Sequence, residues 1–97
     1  MEEFLIATLS IKGKVQGVGF RAWLSQEAAR AGIGGWVKNC DDGSVSARLE
    51  GPRQAVEDLV ALCKQGPTFA RVDDLEASFA MAETCSEKSF SIKRNSR

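Results

Sequence analysis

Histidine and tyrosine are both absent from the 97 residues. Without an imidazole there is no Ser-His-Asp triad, no Cys-His pair, no HExxH zinc site and no histidine general base. Any chemistry falls to backbone amides, Arg, Asn, carboxylates or thiols. An excess of one charge is missing too. Thirteen Lys+Arg balance thirteen Asp+Glu for a formal net charge of +0, which removes the basic footprint of a domain held to nucleic acid by counterion release. No apolar run approaches the ~20 residues of a spanning helix, so no membrane association is expected. The acidic start Met1-Glu2-Glu3, followed by a very short apolar run, does not read as a signal peptide, and none is expected. Cys40, Cys63 and Cys85 are odd in number and form no C-x-x-C, so neither a disulfide framework nor a structural zinc site is expected. Together these absences point to a reduced, cytoplasmic compartment.

What is present is an ordinary globular balance, 43% hydrophobic and 27% charged, in a chain of the size of one domain. No linker, repeat or low-complexity segment divides residues 1–97, which read as a single domain. Leu5, Ala7, Leu9 and Ile11 alternate as a strand with one buried face. A helix is expected over about 22–31, with Phe20, Leu24 and Ala28 at i, i+4, i+8 and Gly32 as its stop. Trp36–Asn39 reads as a second strand, Asp42-Gly43 as a turn, and Val45, Ala47 and Leu49 as a third strand. Gly51-Pro52 is expected to break that strand, with Pro52 in the first turn of a helix whose stripe is Val56, Leu59, Val60 and Cys63 and which ends at Gly66-Pro67. Leu75, Ala77, Phe79 and Met81 alternate as another strand, and Phe90 and Ile92 fall in a short last one. The order β-α-β-β-α-β with an extra terminal strand is an α+β, ferredoxin-like sandwich: a mainly antiparallel sheet with two helices on one face. That fold serves many unrelated functions and by itself decides none.

The informative segment lies between the first strand and the first helix: Gly13-Lys14-Val15-Gln16-Gly17-Val18-Gly19-Phe20-Arg21. Glycines let a tight loop turn several N–H groups inward and let the backbone approach a ligand closely. Set just before a helix, the loop adds the positive end of the helix dipole to that nest of donors. Arg21 brings a planar guanidinium that can grip two oxygens of a phosphate. The combination suits a small dianion, although it is neither a Walker loop nor G-x-G-x-x-G. On these residues alone a plain strand-to-helix turn followed by a surface Arg is an equal reading.

The chain resembles the acylphosphatase family through that segment, through Gly35-Trp36-Val37-Lys38-Asn39 and Asp42-Gly43-Ser44-Val45, and through Leu49-Glu50-Gly51-Pro52 and Ala70-Arg71-Val72-Asp73. The resemblance covers nearly the whole chain and implies hydrolysis of the carboxyl-phosphate bond of small acyl phosphates to a carboxylate and inorganic phosphate. It implies that Arg21 binds the phosphoryl group, that Asn39 orients the attacking water, and that the loop amides of Gln16, Gly17, Val18, Gly19 and Phe20 hold phosphoryl oxygens. A carboxylate leaves readily, so the lack of a histidine acid is no obstacle, and phosphoryl transfer asks mainly for positioning and charge stabilisation. No metal ligand set is visible, since Asp41 and Asp42 read as turn formers. The expectation is a metal-independent, monomeric enzyme with no cofactor, a small-molecule acyl phosphate as its only partner, and no nucleic-acid or membrane partner.

Each residue also has a plainer reading. Outside its motif Asn39 is a strand-end residue of a loop. Trp36, Trp23 and Phe20 read as packing aromatics, Gln16 as a backbone donor with a free side chain, and Lys14 and Lys38 as solvated. Cys63 reads as a small buried hydrophobe. Cys40 stands where many relatives carry a hydroxyl residue such as Thr, so a supporting hydrogen bond is expected to weaken, and blocking its thiol is expected to obstruct substrate. Two other functions remain open: a phosphate-binding module on the same fold that turns nothing over, and an RNA-recognition module. Against the second, Val45, Ala47 and Leu49 offer no aromatic for base stacking. An acylphosphatase-like domain at the front of a larger carbamoyl-transfer protein is a further variant; without cysteine-rich zinc modules a free-standing enzyme is expected.

Overall fold

The computed structural model describes residues 3–83 and 89–93. Cys85, the stretch 84–88 and the tail beyond Lys93 lie outside the described residues. The elements run β1 (Phe4–Lys14), α1 (Phe20–Ala31), β2 (Gly34–Asn39), β3 (Val45–Pro52), α2 (Arg53–Cys63), β4 (Arg71–Ala82) and β5 (Phe90–Ile92). One sheet has the strand order β4-β1-β3-β2-β5, antiparallel except for β5 beside β2. β1 and β2 flank β3, and β3 and β4 flank β1, so each helix crosses between parallel strands that have a third strand between them. This is the split βαβ arrangement that the patterning predicts.

The periodicities place the core where they should. Leu5, Ala7, Leu9 and Ile11 of β1 and Val45, Ala47 and Leu49 of β3 are at most 5% exposed. They meet Phe20, Leu24 and Ala28 of α1 and Val56, Leu59, Val60 and Cys63 of α2. Burial pushes the Cys63 thiol up to about 12, which keeps it protonated and unreactive at neutral pH.

Three expectations need correction. α1 starts at Phe20, two residues early, because Gly19 adopts the left-handed conformation (φ 81°, ψ 17°) and its carbonyl accepts from the Trp23 N–H at 2.9 Å. Pro52 is not in the first turn of α2. It closes β3 opposite Phe4 and caps the helix from outside, with φ −56° and ψ 140°. On β4 the alternation is real, yet Phe79 and Met81 are 52% and 56% exposed. β4 is an edge strand, whereas α2 sits over β1 and β3 and α1 over β2 and β5. Its apolar face therefore runs out from under the helices.

Val45, Ala47 and Leu49 face the helices, so their lack of aromatics does not describe the surface that RNA would meet. The open face of β1 and β3 carries Phe4, Ile6, Thr8, Ser10, Ser46 and Arg48, with Glu50 buried on the same side, so Phe4 at the start of β1 is the one aromatic these two strands place there. Trp36 lies on that open face of β2 and not in the core, with the ammonium groups of Lys38 and Lys93 5.5 and 5.1 Å from its ring centre. Trp23 does pack on the core, edge-on to Phe20 at 5.4 Å between ring centres.

Candidate active site

Between β1 and α1 the backbone leaves the sheet at Val15, and Gly17 and Gly19 take positive φ values of 74° and 81°. Gly19 has no side chain with which to cap the helix, and no acidic residue stands in its first turn. The N–H groups of Phe20, Arg21 and Ala22 therefore have no intrahelical acceptor, and the helix presents a field that attracts an anion. They open on a cavity of about 240 Å³ lined by Gly17, Gly19, Phe20, Arg21 and Asn39. Two stretches separated by 17 residues of sequence, the glycine loop ending at Arg21 and the strand ending at Asn39, thus converge on one space.

Arg21 is half-buried, and its Nη1 lies 3.5 Å from the Lys93 carbonyl, a long contact that leaves most of the guanidinium's donors available. Asn39, the last residue of β2, is 8% exposed. Its Oδ1 is shut off from bulk solvent and has no hydrogen-bond partner among the described residues. A buried acceptor left open in this way costs about 1–3 kcal/mol, on a residue that lines the cavity.

Gln16 departs from the expectation of a free side chain. Its Nε2 donates to the carbonyls of Cys40 and Ser44, both at 2.8 Å. The same two carbonyls close the β2–β3 turn, taking the N–H of Gly43 at 3.1 Å and of Cys40 at 2.9 Å. Asp42 braces that turn, with Oδ1 accepting from the Ser44 N–H at 3.0 Å and the Ser44 hydroxyl at 2.6 Å. The hydroxyl and then the amide of Ser44 hold the Asp42 carboxyl below its ordinary 3.8. Gln16 is therefore a strut between the glycine loop and the turn next to Asn39. Gln16→Ala is expected to lower kcat about tenfold and to cost about 1–2 kcal/mol of stability, because two half-buried carbonyls lose a donor. Steady-state kinetics with a thermal melt of the variant checks both.

The remaining predicted residues divide. Gly17, Gly19 and Phe20 line the cavity; Val18 does not, and its side chain packs against the core. Cys40 is not in the lining. Its thiol lies 3.2 Å from the Ser46 hydroxyl. Lys38 lies over Trp36 on the open face, away from the cavity. Val15, Ala22 and Ile92 complete the lining and were not singled out by sequence. Only the sheet order, which puts β5 beside β2, shows that Ile92 belongs there. No group of three or more acidic, cysteine or histidine side chains among the described residues is placed to hold a metal ion.

With this geometry in hand, comparison with known proteins is specific. The acylphosphatase family profile matches residues 7–92. An acylphosphatase of Nitrobacter winogradskyi is 51% identical over 72 residues, which are 74% of this chain and 73% of that one. The crystal structure of acylphosphatase from Bacillus subtilis superposes with a TM-score of 0.86 at 37% identity, covering 92% of this chain and 98% of that one. An acylphosphatase from Coxiella burnetii superposes with a TM-score of 0.83 at 28% identity over 94% of each. By sequence and by fold, the chain belongs to the acylphosphatase family.

Proposed function

We propose that this acylphosphatase holds the phosphoryl group of its substrate on the amides of the 16–20 loop and the guanidinium of Arg21, and that Asn39 aligns the attacking water. The observation that supports this most directly is the convergence of Asn39 with Gly17, Gly19 and Arg21 on one cavity. An amide side chain at that point hydrogen-bonds a water and turns an oxygen lone pair toward phosphorus. As water attacks, the P–O bond to the acyl carboxylate breaks and the electron pair leaves on the carboxylate. The proton released from water ends on phosphate or solvent. Charge on the equatorial oxygens is met by donors fixed before the reaction. No acid is needed for a carboxylate leaving group, and no step calls for a metal, so we propose metal-independent turnover.

The test is hydrolysis of benzoyl phosphate in EDTA by the parent chain and by Asn39→Ala. The parent should turn over without added metal. The variant should lose about 10²-fold in kcat through misplaced water while its inhibition by inorganic phosphate stays within about twofold. A parent that binds phosphate without turnover would make the loop a binding module and sink the proposal.

We further propose that residues 1–97 act as one domain, as a monomer in the cytoplasm. One sheet and one core cluster support the single domain, and Cys40 and Cys63, both free thiols, suit a reducing compartment.

A further inference from the structure

We infer that Ile92 forms the wall of an acyl subsite that favours substrates with a bulky apolar acyl group. The inference rests on the cavity being the active site. With the phosphoryl group at the glycine loop and Arg21, the acyl end of a mixed anhydride must extend along the rest of the lining. Val15, Phe20, Ala22 and Ile92 are the apolar members. Val15 and Phe20 are each 1% exposed, so they form a floor with almost no surface left to cover. Ala22 offers one methyl. Ile92 is 47% exposed, and among the described residues it is the only large apolar side chain of the lining with surface still to bury.

Its position is fixed by the sheet. Ile92 is the parallel partner of Val37, and the following Lys93 N–H donates to the Val37 carbonyl at 2.8 Å. Side chains in register on neighbouring parallel strands share a face, and residues two apart on one strand do as well. Ile92 therefore stands about 4.8 Å across from Val37 on the face that carries Asn39. The acyl group of a bound substrate meets donors at one end and this side chain at the other. Covering the exposed part of an isoleucine favours binding in proportion to the apolar area removed from water, which a benzoyl ring supplies and an acetyl methyl does not.

The experiment compares benzoyl phosphate with acetyl phosphate in the parent, Ile92→Thr and Ile92→Val, together with inhibition by inorganic phosphate, which has no acyl group. Thr and Val keep the β-branch that suits strand β5. In Ile92→Thr the benzoyl-to-acetyl ratio of kcat/KM should fall about fivefold, carried by a higher KM for benzoyl phosphate. Ile92→Val should hold the ratio within about twofold of the parent, and the phosphate inhibition constant should not move in either variant. A ratio that stays put in Ile92→Thr overturns the inference alone. So does a phosphate inhibition constant that rises in step with both KM values, because that marks a distorted loop. A parent that hydrolyses neither substrate overturns the active-site reading and the inference with it.

Discussion

Arg21→Ala is expected to lower kcat/KM for an acyl phosphate by about 10³-fold or more, the scale on which an arginine facing a transferring phosphoryl group acts. The size follows from what remains after the side chain is gone. The amides of the loop and of the first turn of α1 are dipoles with partial charges, and α1 has no other cation in its first turn. Among the described residues Arg21 is the one full positive charge in the lining, and it works in a partly enclosed space where charge is screened less than in water. Arg21→Lys should recover only a small part of the loss, because an ammonium is a point charge and cannot span two phosphoryl oxygens as the planar fork does. Stability should change little in either variant. Among the described residues the side chain makes one hydrogen bond, the 3.5 Å contact to the Lys93 carbonyl, and its neighbour Phe20 anchors the helix end. Kinetics on benzoyl phosphate beside a thermal melt separates the two effects. A loss below tenfold in Arg21→Ala, with the melt unchanged, would remove Arg21 from the phosphoryl site.

How much of this was legible in advance depended on the range of the interaction. The stripes Phe20-Leu24-Ala28 and Val56-Leu59-Val60-Cys63 could be read because a helix repeats its buried face within a few residues. The alternation of β1 and β3 was equally plain. Whether an alternating strand is covered is a different matter, since it depends on which strand ends at the sheet edge. Phe79 and Met81 look in sequence just like Ala47 and Leu49. Of the site, Arg21 and Asn39 stood out through motifs, while the geometry that joins them did not. Gln16 reaches acceptors 24 and 28 residues away, and Ile92 arrives only through the parallel pairing of β5. Neither leaves a periodic or local trace. Pro52 shows the reverse case, a residue whose local preference is plain but whose place is not, because Pro tolerates both the first turn of a helix and the end of a strand.

Gly35→Ala is expected to cost about 3 kcal/mol or more, a shift of roughly 15 °C in Tm for a chain of this size. Gly35 opens the Gly-Trp-Val-Lys-Asn motif, and nothing about its place in a β-strand suggests that it must be glycine. The structure supplies two reasons. Its φ is 128°, which side-chain-bearing residues rarely adopt, and a Cβ there would run into the backbone carbonyl oxygen of Arg48. The carbonyl belongs to β3, the neighbour with which Gly35 pairs through Leu49, so it cannot swing aside without breaking the ladder that holds β2 in register. On the other side Gly35 donates its N–H to Ser89 at 3.0 Å and pairs with Phe90. A shift of β2 at this point therefore moves β5 as well as the strand that ends at Asn39. Gly43→Ala provides the control. Gly43 also has positive φ, 92°, but a Cβ there meets nothing within 4 Å, so only the conformational cost of about 1 kcal/mol applies. If circular-dichroism melts place the two variants within about 2 °C of each other, steric exclusion at Arg48 is not what makes the position glycine. If Gly35→Ala melts far lower and loses turnover in the folded fraction too, the motif's first residue sets the strand on which its last residue works.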